Sequence, residues 1–112
     1  MIKDEVRVLV VDSISNYLIY VVQRGVRGVE HVGVLKGSFE ELLNQLRTTN
    51  LINEIRYVST PDGKVFKLSG RIYSENPAPV SDESTLLTNI ISEGKRIIEL
   101  LKEELKLIMT QK

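Results

Sequence analysis

Residues 5–23 read EVRVLVVDSISNYLIYVVQ, and the fold is decided there. Glu5 to Asp12 is rich in β-branched residues and ends on a turn former, which predicts a strand. Asn16 to Gln23 predicts a second strand of the same kind. Both are apolar on both faces through their middles, which places them centrally in a sheet covered on at least one side. The short Ser13-Ile14-Ser15-Asn16 connection favours an antiparallel hairpin.

Working outward, Gly25 and Gly28 mark a turn, and residues from about Val29 to Leu35 predict a third strand that completes a meander. Gly37-Ser38 then opens a helix. Ser38 and Glu41 have the spacing of a capping box, in which hydroxyl and carboxylate each satisfy an orphan backbone N–H. Phe39, Leu42, Leu43 and Leu46 form one apolar stripe at helical spacing, and Asn50 is the expected stop. Glu54 to Ser59 predicts a short strand and Lys64 to Tyr73 a longer one. Between them Thr60-Pro61-Asp62-Gly63 is a turn in which proline fixes φ and glycine takes the left-handed position.

Residues 74–81 break the composition with Pro77 and Pro79, which favour an extended linker. The expected organisation is an α+β core over 1–73, a linker over 74–81, and a long C-terminal helix over 82–112 that serves oligomerisation. The helix runs from Ser81 or Ser84 to about Met109. Along it Leu87, Ile91, Gly94, Ile98, Leu101, Leu105 and Ile108 step by alternating fours and threes. That is the a/d pattern of a helix seam, with Gly94 its one weak position. A second stripe holds Leu86, Ile90, Ile97, Leu100 and Leu107. Two adjacent stripes carry more apolar surface than one contact covers, and about 26 residues give roughly 39 Å of helix. The excess points to a second copy or a partner helix, with Leu87, Ile91, Ile98, Leu101, Leu105 and Ile108 as the interface. The plainer reading gives one stripe to the sheet and the other to the short helix.

The composition narrows the chemistry. The 112-residue chain holds 15 basic and 15 acidic residues, one His and no Cys. Charge also balances within each half, against a dedicated polyanion binder. Thiol catalysis, disulfides and Cys-based zinc sites are excluded, as are His-rich metal centres. The longest uncharged stretch near the N-terminus, Ser13 to Gln23, is too short to span a bilayer, for which about 20 residues are needed. Met1-Ile2-Lys3-Asp4-Glu5 does not suit a signal peptide. A cytoplasmic protein without membrane association or cofactor is the expectation.

Three constellations have a chemical reading. Arg24-Gly25-Val26-Arg27-Gly28 sits at a hairpin tip, where Arg24 and Arg27, with Lys36, have the chemistry to contact phosphates; an ordinary solvated turn is the bland alternative. No aromatic residue is interleaved with them, so a stacking platform for single strands is not indicated. Asp12 closes the first strand, and three strands, a helix and a fourth strand resemble in order the ribonuclease H-like arrangement. A metal-dependent nuclease of that kind needs converging carboxylates. Glu41 and Asp62 are the available ones, and each already has a structural role. His31 follows Glu30 in a strand, where neighbours point to opposite faces, so Glu30 is not placed to orient it as a base.

The sequence therefore predicts an α+β fold: a mostly antiparallel βββαββ sheet, one short helix and a long C-terminal helix. The expected function is a non-catalytic interaction or assembly module, an adaptor or accessory subunit, whose expected partner is itself, with another protein as the further candidate. The alternatives are a nucleic-acid-binding dimer using Arg24 and Arg27 and, more remotely, a nuclease centred on Asp12.

Overall fold

The computed structural model of the protein describes residues 6–25, 28–48, 54–62, 64–67 and 85–110. Strand β1 (Arg7–Ile14) and strand β2 (Tyr17–Arg24) form the antiparallel hairpin. The ladder continues through Asp12↔Ile19 and Ser13↔Leu18 to Ile14↔Tyr17. The connection is therefore the two residues Ser15 and Asn16 instead of four. Ser15 has φ of 54° and is the single non-glycine residue with positive φ among those described. A positive φ at the first turn residue alone is the type II′ geometry, whose twist matches that of the flanking strands.

Strand β3 (Gly28–Lys36) pairs antiparallel with β2 and carries a bulge where Val22↔His31 gives way to Gln23↔Val29. Helix α1 (Phe39–Thr48) follows, and its capping box forms as the sequence predicts. The Glu41 N–H donates to Ser38 Oγ at 3.2 Å, and the Ser38 N–H donates to Glu41 Oε1 at 3.2 Å. Strand β4 (Ile55–Ser59) pairs parallel with β1, and strand β5 (Val65–Lys67) pairs antiparallel with β4. The sheet order is β3-β2-β1-β4-β5, a mostly antiparallel α+β sheet with β1 at its centre. Asn50, residues 68–73 of the longer last strand and the 74–81 linker lie outside the described residues.

Helix α2 (Thr85–Thr110) closes the fold. The two faces of the hairpin, both apolar, feed two separate cores. On one face Leu9, Val11, Leu18 and Val22 pack with Leu42, Leu43 and Leu46 of α1 and with Ile55 and Val58. On the other Val8, Val10, Ile19, Val21 and Tyr57 pack with Leu87, Ile90, Ile91 and Ile98 of α2. This double burial is why β1 and β2 read as continuous apolar runs.

Two glycines make the packing close. A Cβ on Gly94 would lie 2.7 Å from Val10 Cγ2 and 3.5 Å from Gln23 Cγ, so its absence lets α2 settle between β1 and β2. A Cβ on Gly33 would run into the Tyr20 ring, so the ring lies across β3 at that point. Lys102 Nζ binds Asp12 Oδ2 at 2.6 Å and fixes α2 to the sheet further along the chain.

Candidate functional site

The helix seam divides once it is placed on the sheet. Leu87, Ile91 and Ile98 are buried in the chain's own core, with Leu101 and Leu105 half-buried against it. Gly94 belongs to the same line, which explains a small residue there: it faces the Val10 and Gln23 side chains of β1 and β2. Of the six expected interface residues, Ile108 alone is largely exposed. It is joined by Leu100 and Leu107 of the second stripe, and the three stand 58–62% exposed. Length explains why. A 26-residue helix is about 39 Å long, whereas an eight-residue strand covers about 26 Å.

Counting about 100° per residue from Gly94, Lys102 lies on one flank of α2 and Ile97, Leu100 and Leu107 on the other. Lys102 points to β1 through its bond to Asp12, so the opposite flank turns toward β2 and β3. The Asp12 carboxylate holds the Lys102 ammonium above its ordinary pKa, with Glu99 at 3.6 Å adding to the effect.

Strand β3 presents the other apolar surface. Val32 pairs with Val21 and Val34 with Ile19, so both stand on the face that α2 covers; Val29, opposite Gln23, stands there too. Yet these three valines are 43–45% exposed, because α2 packs chiefly on β1 and β2. Nothing in the sequence alone marks them, since the pattern G-V-E-H-V-G-V-L-K does not say which strand ends the sheet.

The basic candidates separate. Arg24 pairs with Gly28 at one end of the β2–β3 ladder, and Lys36 pairs with Tyr17 at the other. Arg24 is half-exposed and lies 3.8 Å from Glu30 Oε2. Arg27 lies outside the described residues. Glu30 is held chiefly by Arg7, whose Nε donates to Glu30 Oε1 at 2.6 Å; that bond, with Arg24 nearby, keeps the Glu30 carboxyl below its usual pKa. His31 is exposed on the outer strand.

The carboxylates considered with Asp12 have other bonds. Glu41 caps α1, and Asp62 accepts a hydrogen bond from the Thr60 hydroxyl that holds its carboxyl below the usual range. Among the described residues no three His, Cys, Asp or Glu side chains group as metal ligands would. An open cleft of about 510 Å³ between the β1–β2 turn and the start of α1 is lined by Ser13, Ser15, Asn16, Lys36, Ser38 and Glu41. The Glu41 carboxylate already occupies the helix N-terminus there. No described helix is long and apolar enough to cross a membrane. No protein-family model, no curated protein and no solved structure matches this chain.

Proposed function

We propose that this chain is a non-catalytic interaction module that assembles with copies of itself through the exposed flank of α2. The observation that carries this reading is the exposure of Leu100, Leu107 and Ile108, three large aliphatic residues, within the second half of one helix. Water-exposed apolar surface concentrated in one place is what association removes. The seam from Leu87 to Leu105 packs into the chain's own core and fixes the helix; Leu100, Leu107 and Ile108 are the exposed apolar residues that remain for a partner.

Light scattering coupled to size-exclusion chromatography tests the reading. The parent elutes as a dimer or small oligomer, and the double variant Leu107→Glu, Ile108→Glu elutes as a monomer with unchanged circular dichroism. A parent that stays monomeric across a hundredfold concentration range overturns the proposal. Absorbance at 260 nm recorded in the same run reports co-purified nucleic acid, to which a protein with four Tyr and no Trp adds little.

A further inference from the structure

We propose that α2 is a releasable cover: it leaves the sheet as one unit while the five strands and α1 stay folded, and so uncovers the aliphatic face of β1 and β2. The inference goes beyond self-assembly and does not depend on it.

Two buried polar atoms make the case. Among the described residues, Gln23 Oε1 and Ser59 Oγ are the buried side-chain atoms without a hydrogen-bond partner, and both residues are 0% exposed. Both stand on the face that α2 covers. Gln23 follows Val21 by two residues in β2, and its Cγ lies 3.5 Å from where a Cβ on Gly94 would be. Ser59 pairs with Val10 of β1 and with Val65 of β5, and both of those pack in the core under α2. The core under α1 holds no such atom among the described residues. A buried polar group without a partner keeps its desolvation cost for as long as it stays covered. Water reaches both groups once α2 lifts away, so the cost falls on the docking of α2.

The joints of the two helices differ in the same sense. Two residues connect β3 to α1 and six connect α1 to β4, whereas the 17 residues 68–84 separate β5 from α2. A chain of that length spans up to about 56 Å, so α2 can leave without pulling on β5. The side-chain bond from α2 to β1, Lys102 to Asp12, is partly exposed, and such an ion pair is weakened by salt. Leu87, Ile90, Ile91 and Ile98 hold the closed state, so the open state is a minor population. Once detached, a 26-residue helix with a glycine near its middle is marginal in water, and its amides exchange freely.

The consequence is regulatory. The open state presents Val8, Val10, Ile19 and Val21, flanked by the Gln23 carboxamide and the Ser59 hydroxyl. Any ligand of that face competes with α2, and its apparent affinity is lowered by the fraction of chains that are open.

Hydrogen exchange of the parent chain, followed amide by amide by NMR at low urea concentrations, tests the proposal. The α2 amides between Leu87 and Leu105 share one opening free energy, and it lies below that of β1, β2 and α1. Ser59→Ala slows exchange throughout α2 about fivefold, because the closed state no longer holds an unpaired hydroxyl. Exchange of the α2 amides only at the free energy of global unfolding overturns the proposal. So does a Ser59→Ala protein whose α2 amides are not slowed, since the hydroxyl would then stay covered when α2 leaves.

Discussion

Gly94 of α2 rests against Val10 of β1 so closely that a single added methyl would come within 2.7 Å of Val10 Cγ2. Val10 is itself 1% exposed and β-branched, so it has little freedom to move aside. Gly94→Ala gains about 1 kcal/mol of helix propensity and meets an overpacking cost of about 1–3 kcal/mol. The net expectation is a loss, larger for Gly94→Leu. Urea denaturation measures it. The sign is diagnostic, because filling the weak position of a helix-to-helix seam would stabilise the assembly instead.

The Lys102–Asp12 pair links the last helix to the first strand, with side chains 17% and 31% exposed. Lys102→Met is expected to cost about 1 kcal/mol. The pH dependence has a definite sign. Lys102 has a raised pKa in the folded state, so its contribution is fully present below the ordinary lysine value of 10.5 and fades as pH rises through the folded value. The stability gap between parent and Lys102→Met, followed by chemical denaturation, therefore narrows above pH 10.5. A gap that is constant to higher pH would assign the effect to packing of the lysine stem.

Ser15 holds a positive φ that suits glycine at the first position of a type II′ turn. Ser15→Gly relieves about 1 kcal/mol of backbone strain and gives back part of it in unfolded-state entropy. A rise of a few degrees in the thermal midpoint is expected. No rise would mean that the Ser15 hydroxyl contributes as much as the strain costs.

Ser59 is fully buried, and its hydroxyl has no hydrogen-bond partner among the described residues. A buried hydroxyl without a partner costs about 1–3 kcal/mol of desolvation. Ser59→Ala removes the group and is expected to raise stability by about 1 kcal/mol. A loss on substitution would reveal a bond from the hydroxyl to a segment beyond those described.

The sheet was readable in the sequence because its central strands are buried on both faces, and a run such as Val8 to Val11 admits few other interpretations. The capping box was readable for a different reason: Ser38 and Glu41 are three residues apart, and the motif is local. The destination of the long helix was not. A 4-3 spacing describes one face of α2 equally well whether it meets a helix or a sheet, and Gly94, the residue that decides, looks like a defect in the first case. The edge valines were hidden for a similar reason. Val29, Val32 and Val34 acquire their meaning from the strand order, which is a property of long-range pairing.

The second core has a consequence for the order of events during synthesis. Val8, Val10, Ile19 and Val21 are made well before their covering residues, which run from Leu87 to Ile98. On the order of 80 residues separate Val21 from Ile98, and at about 5–20 residues per second the ribosome needs roughly 4–16 s to make them. Throughout that interval one side of the nascent hairpin has no lid of its own. The newborn chain thus spends seconds displaying an aliphatic surface that α2 covers in the finished protein, a window in which chaperones, or another nascent chain, have first access to it.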